Sequence, residues 1–242
     1  MDFEGEGILA LWNGADASRS EEYNMWHSRE HVPERLSVPG MRSARRYVRT
    51  SGELPEYLTL YEVDNLSVLE SQPYLKLLEN PTEWSSSMRP SFRGFLRKCC
   101  NRIVSFGGGM GSTLVTLPLG RDFEGSAKQC EALIEHVVKD AGPFVATHLI
   151  VESPDIPPVP FTIGGDDVLP PLTGAVLLES YDAQSAEVEL NRLLPFFADC
   201  GIVHEDVRAS FYGLVYALNV KSLEHIVPMS KSNFKVTAGW SA

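Results

Sequence analysis

Apolar side chains alternate along Tyr57-Leu58-Thr59-Leu60-Tyr61-Glu62-Val63, whereas between Leu66 and Leu78 they recur at helical spacing. The first pattern sends neighbouring side chains to opposite faces of a strand; the second lays one stripe along a helix. Read this way, the chain begins with a strand at Gly7 to Trp12, a helix at about Ser20 to Leu36, and strands at Met41 to Arg49 and Tyr57 to Val63. A helix at about Leu66 to Glu79 and a long strand at about Phe92 to Phe106 follow. Ser18 or Ser20 ahead of Glu21 and Glu22, and Asn65 ahead of Ser67, are the expected N-caps.

After Gly107-Gly108-Gly109-Met110-Gly111 the order repeats. Strand Thr113 to Leu117, helix Ser126 to Ala141, strands Phe144 to Glu152 and Gly174 to Tyr181, helix Ala183 to Ala198, and strand Val207 to Asn219 are expected. The step from first strand to first helix is equal in both halves, Ile8 to Ser20 and Leu114 to Ser126, a shift of 106. The shift grows from 103 (Met41 to Phe144) to 117 (Tyr57 to Gly174), so the second half carries about 14 more residues. They fall in the proline-rich stretch 153–171, read as a stiff surface loop that either lids a pocket or merely extends a hairpin. The glycine run lacks the Lys of a phosphate loop and leads into a strand, so it reads as a linker. The units are thus 1–106, the linker 107–111, 112–220 and a tail 221–242.

A β-α-β-β-α-β unit builds a four-stranded antiparallel sheet with both helices on one face, which leaves the other face bare. Two such units in one chain can press those faces together into an intramolecular α+β barrel. The inner faces are then expected to line a cavity.

Composition narrows the function. The formal net charge of −11 argues against nucleic-acid and anionic-membrane partners, which need clustered Lys and Arg. No apolar run is long enough to span a membrane, and the acidic N-terminus is unlike a signal peptide, so a cytoplasmic location is expected. Cys99, Cys100, Cys130 and Cys200 have neither zinc-ligand nor CxxC spacing and read as reduced thiols.

Chemistry concentrates in Tyr23 to Arg35, where Tyr23, Trp26, His27, Glu30, His31 and Glu34 share one short helix. At 100° per residue, Met25, Val32 and Leu36 form the greasy stripe, and the polar cluster points the other way. Pro33 is expected to end the first helical stretch near His31, placing that histidine where the macrodipole favours its protonated form. Three readings stand. The face is ordinary wet surface; or His31, with His27 second, is a general acid or base oriented by Glu30 or Tyr23; or His27-Ser28-Arg29-Glu30-His31 is a zinc site of HxxEH form, without an evident third ligand. Arg45 alternates to the opposite strand face from Arg42 and Arg46, so at least one arginine can reach the interior and hold a carboxylate or enolate. Tyr57 and Tyr61, and likewise Tyr212 and Tyr216, are expected to share strand faces that suit either a flat ligand or core packing. Trp84, Met88 and Arg89 lie in a long connection, where the tryptophan is expected to pack on a helix.

Tyr23, Trp26, His31-Val32-Pro33, Val38-Pro39-Gly40-Met41 and the basic strand Arg42 to Tyr47 resemble the dimeric α+β barrels of ferredoxin-like units, and within them the EthD-like proteins. The second half, with Glu135-His136-Val137-Val138 in its first helix, matches only in element order. The resemblance implies a small-molecule enzyme without cofactor: an isomerase, cyclase, decarboxylase or cofactor-free oxygenase acting on a carbonyl or aromatic compound. His31, His27 and Glu30 would then be catalytic, with Tyr23, Trp26, Arg45, Tyr57 and Tyr61 binding the substrate. Two alternatives remain. One is a haem barrel of chlorite-dismutase type, its axial ligand among His136, His148, His204 and His225; the other is a non-catalytic ligand-binding or assembly module. The tail either wraps the outside or docks on a second copy, pairing barrels as a homodimer.

Overall fold

The computed structural model describes residues 2–119, 123, 127–140, 142–156, 172–202, 208–227 and 229–233. Eight antiparallel strands close into one barrel: β1 (Gly7–Ala15), β2 (Met41–Ser51), β3 (Tyr57–Val63), β4 (Phe92–Gly107), β5 (Thr113–Leu119), β6 (Phe144–Glu152), β7 (Gly174–Ser180) and β8 (Ser210–Asn219). Around the barrel the order is β1-β3-β2-β8-β5-β7-β6-β4, two four-stranded sheets of equal topology. They join where β2 pairs with β8, with Ser43 opposite Asn219, and where β4 pairs with β6, with Cys100 opposite Glu152. Helices α1 (Ser20–Trp26), α2 (Val32–Leu36), α3 (Gln72–Glu79) and α4 (Glu83–Met88) belong to the first half; α5 (Ala127–Asp140) and α6 (Ala183–Asp199) belong to the second. The fold is the expected tandem α+β barrel. Among the described residues, no helix is long and apolar enough to cross a membrane.

Side chains from both sheets fill the lumen. Ile8, Ala10, Trp12, Tyr47, Leu58 and Leu60 of the first half meet Leu114, Ile150, Ala175, Leu177 and Tyr212 of the second in one buried cluster. The expected hollow between inner faces is therefore corrected: at these positions large aromatic and branched side chains occupy the space. Arg45, on the inner face of β2, reaches across to Glu179 of β7 at 2.7 Å, and neither side chain is exposed. Glu179 also accepts bonds from the Tyr47 hydroxyl at 3.2 Å and the Gly111 amide at 2.9 Å. Gly111 ends the glycine run here because a Cβ would lie 2.1 Å from the Ser180 carbonyl oxygen. The Phe3 ring covers the Arg45 guanidinium at 3.8 Å, a desolvated cation–π contact.

Three expectations about local structure change. Ser18 and Ser20 do not cap the first helix; a 3-10 turn, Ala17–Arg19, leads into it, and Ser20 is its first residue. The expected helix Leu66 to Glu79 divides into a 3-10 turn, Leu66–Glu70, capped by Asn65, and α3, capped by the Ser71 hydroxyl accepting from the Tyr74 amide. Tyr212 and Tyr216 end on opposite faces, because β8 shifts register against β2 between Arg46 and Tyr47 and a one-residue slip swaps faces. Tyr212 joins the lumen cluster, whereas Tyr216 packs with the helical layer of the first half. The greater part of the proline-rich stretch lies outside the described residues, as do His204, Phe234 and Trp240.

Because the Arg45–Glu179 pair is a fully buried ion pair between the halves, Arg45→Leu strands a buried carboxylate and is expected to cost about 3–5 kcal/mol in urea unfolding. Adding Glu179→Leu should recover most of that loss; a double variant as unstable as the single one would contradict the pairing.

Candidate functional site

Between α1 and α2 the helix passes through one π turn, His27–His31, in which the Val32 amide bonds the His27 carbonyl. A proline has no amide to donate and its ring crowds the carbonyl four residues back, and a widened turn relieves both demands. Val32 keeps helical angles, φ −63° and ψ −49°, so the expected break before Pro33 is absent and the helix runs on to Leu36. The π turn also resets the helical phase. Tyr23, Trp26, His27, Val32, Arg35 and Leu36 are buried against the first sheet, and Met25 is exposed. Val32 and Leu36 are buried as expected, but Met25 is not, and the histidines are turned inward as well, so the wet-surface reading does not hold for them.

A hollow of about 60 Å³ lies between this helix and the outer face of the first sheet. Its floor and walls include Asn13, Tyr23, Trp26, His27, His31 and Tyr61; the half-buried Arg89, Phe95 and Arg97 flank it. The His27 and His31 rings stand 5.3 Å apart between centroids, with Trp26 4.5 Å from His31 and Tyr23 5.5 Å from His27. The Tyr23 hydroxyl bonds the Asn13 amide group at 2.9 Å, and Trp26 Nε1 donates to Ser85 Oγ at 3.2 Å. Nδ1 of His27, Nδ1 of His31, the Tyr61 hydroxyl and Nη1 of Arg35 are buried with no hydrogen-bond partner. So many unsatisfied polar atoms around one void mark a place built to receive polar groups.

Electrostatics are one-sided. Arg35, Arg89 and Arg97 line the hollow, and no carboxylate does among the described residues. Arg46, on the same outer face, donates to Asn24 at 2.6 Å and lies 5.1 Å from the Tyr23 ring and 4.9 Å from the Tyr57 ring. Burial, then the nearby Arg46 and Arg35, hold His27 well below the usual histidine range. Burial and Arg35 do the same to His31, followed by His27 and Arg89. Both rings are neutral at neutral pH, the reverse of the charged state expected for His31. Burial also pushes the Tyr23 hydroxyl up to about 12, against the pull of Arg46.

The expected site residues separate into groups. His27, His31, Tyr23, Trp26 and Tyr61 come together at the hollow. Tyr57 packs tilted against Tyr23, 4.7 Å between centroids. Glu30 points to the other side of the helix and accepts from Thr82 Oγ1 at 2.6 Å, orienting neither histidine. Arg45 is in the lumen, across the sheet. Trp84 anchors α4 on α1 through a bond from its Nε1 to Glu22 at 3.0 Å. Arg46, one of the three arginines considered for holding an anion, lies beside the site, and Arg35, Arg89, Arg97, Asn13, Tyr74, Phe92 and Phe95 complete the surroundings without having been singled out for that role. Of these, the β1 and β4 residues can be found only from strand facing.

Among the described residues, no three His, Cys, Asp or Glu side chains gather to hold a metal ion, so the HxxEH reading lacks its ligands. Among the described residues, the second half leaves haem no room beneath its helices. Leu133, Ile134, Val137, Leu190, Leu193 and Phe197 pack directly on Val115, Leu117, Val176 and Leu178. His148 is enclosed in the lumen, bonded through Nδ1 to Ser105 Oγ at 2.8 Å; His225 is exposed on a 3-10 turn; His136 packs edge-on to Phe196 between helices. Haem does not fit the described residues.

No family model matches the chain, and no curated protein matches it in sequence. Solved structures do match in fold. An anthrone oxidase-like protein aligns over 91% of this chain and 96% of its own, with a TM-score of 0.61 and 9% identity. A haem-binding protein from Thermus thermophilus covers 93% and 96%, with a TM-score of 0.50 and 12% identity. Chlorite dismutase from Candidatus Nitrospira defluvii covers 92% and 96%, also with a TM-score of 0.50 and 12% identity. At such identities the likeness is one of fold.

The neutral histidines set a pH dependence. His27, His31 and His148 (held at about 3 by burial and by Arg45) have folded values below 6.5, so below that pH the unfolded chain binds more protons. Stability is therefore full above about pH 6.5 and falls below it, by about 1.4 kcal/mol per pH unit for each histidine. Glu179 and Glu34, pushed up by burial, act oppositely at the acid end. Urea titrations from pH 7.5 to 5.5 should show this loss, and His27→Leu should remove about a third of the slope. A flat profile would contradict buried neutral rings.

Proposed function

Taking a dimeric α+β barrel built within one chain as the frame, we propose that this protein is an EthD-like enzyme moving a proton on a small, planar, acidic carbonyl or aromatic compound. Isomerisation, cyclisation and cofactor-free oxygenation begin with proton removal, whereas decarboxylation ends with proton delivery to the carbanion left by CO2. The observation that carries the reading is the void flanked by two neutral histidines with unpartnered nitrogens, aromatic walls and arginines. Flat apolar walls suit a ring. The guanidinium groups around them suit an anion.

In the proposed step a C–H or O–H bond of the substrate breaks, its electron pair remains as an enolate or phenolate, and His31 takes the proton. The arginines that disfavour an imidazolium standing alone favour the oxyanion formed with it, so both charges arise as one pair. His27 accompanies His31, and Tyr23 and Tyr61 offer hydroxyls. The hollow is small, and a ring enters as Arg89, Phe95 and Arg97 swing aside. That small volume also favours a second reading, a ligand-binding module without turnover.

The probe 4-acetylbenzoate is planar, acidic and enolisable. In D₂O its acetyl protons should exchange faster with the protein than in buffer, and faster than those of its methyl ester. His31→Gln should lower the rate about 100-fold or more while the melting temperature holds. Equal exchange by His31→Gln and the parent protein would overturn His31 as the base; no acceleration by either would favour the binding module.

A further inference from the structure

The helix that floors the inner hollow has a second void on its other side. This outer hollow, about 360 Å³, is lined by Glu30, Pro33, Glu34 and Thr82 and by Leu223 and Ile226 from the segment after β8. Arg29 and Ser37 at its rim are exposed, so it meets solvent. Two pairs of side chains bridge the two voids, Arg35–Glu34 with 3.8 Å between Nη1 and Oε2, and His31–Glu34. His31 lines the inner one and Glu34 the outer one, with His31 Nδ1 and Glu34 Oε2 3.9 Å apart. Both atoms are buried, and neither has a hydrogen-bond partner.

We infer that Glu34 is a proton-relay residue, carrying the proton of the His31 site out to the solvent of the outer hollow. The inference rests on the proton-transfer reading above for its purpose, but its geometry stands independently. A separation of 3.9 Å is about 1 Å beyond a good N–H···O bond, and the terminal torsion of glutamate is broad, so a small rotation closes it. The balance is simple. One nitrogen of His31 gains the substrate proton, Nδ1 gives its own to Glu34 Oε2, and the carboxylic acid releases that proton to water in the outer hollow. Each residue returns to its starting state after the ring resets its tautomer.

Other groups facing Glu34 fit the role. Burial raises its carboxyl from the ordinary glutamate value, as does Glu30, while Arg35 and Arg89 lower it. The proton affinities of carboxylate and depressed imidazole are thereby drawn together, which helps transfer in both directions. Glu30, the other acid of the outer hollow, is held by Thr82 at 2.6 Å and Ser85 at 3.4 Å. It serves as the control.

The test needs no substrate. In protein labelled with ¹⁵N-histidine, exchange of the His31 ring N–H with water is measured at pH 7 by saturation transfer. Glu34→Gln and Glu34→Ala should slow it about tenfold or more, and Glu30→Gln, which only removes a charge acting on Glu34, far less. Formate, small enough for the outer hollow, should restore the rate in Glu34→Ala, and Glu34→Asp should restore it without additive. Unchanged exchange in Glu34→Ala, or equal slowing in Glu30→Gln, would overturn the relay, as would slowing that neither formate nor aspartate repairs. The two readings fail separately: loss of 4-acetylbenzoate exchange in His31→Gln bears on the reaction, whereas ring N–H exchange bears only on the path.

Discussion

A four-stranded sheet with helices on one side leaves an apolar face that water cannot be allowed to cover, and everything else in this protein follows from how that face is hidden. Two such sheets occur in one chain, and they close on each other through β2–β8 and β4–β6. The barrel lumen is the result, filled with Trp12, Tyr47, Leu58 and Tyr212 and tied by the Arg45–Glu179 pair. Once the lumen is filled, the space for chemistry lies on the outer side of a sheet, beneath a helical layer. The second half closes that space with apolar packing, and the first half leaves it partly open.

What keeps it open is an imperfect helix. Pro33 forces a π turn, and the turn brings His27 and His31 over the sheet together with Trp26 and Arg35. Burying two imidazoles beside arginines costs stability below about pH 6.5, because there the unfolded chain protonates them more readily than the folded one. Such a cost persists where the unsatisfied atoms have a use. The same π turn sends Glu30, Pro33 and Glu34 to the opposite side, so a single element floors one hollow and walls another.

The order of elements was legible in the sequence, since it depends on local periodicity and on the equal spacing of the two halves. The tandem barrel follows from that order by the need to cover two bare faces. Facing was harder to read. A 100° helical wheel from Tyr23 to Leu36 assumes no π turn, and it turned the histidines outward; alternation in β8 assumes no register shift, and it left Tyr212 and Tyr216 on one side. Each error is one residue of phase. The histidines, Tyr23, Trp26 and Tyr61 could be singled out because they cluster locally. Arg97 and Asn13 could not, because β4 and β1 bring them in from distant positions, and position along the chain says nothing about which sheet face holds the void.

If small molecules enter beneath the first-half helices and not inside the barrel, a crystal structure of the protein with 4-acetylbenzoate shows it directly. The predicted result is the ring between Trp26 and Tyr61, its acetyl group in reach of His31 and its carboxylate turned to an arginine. Density for the ligand in the lumen, or under α5 and α6, would contradict it.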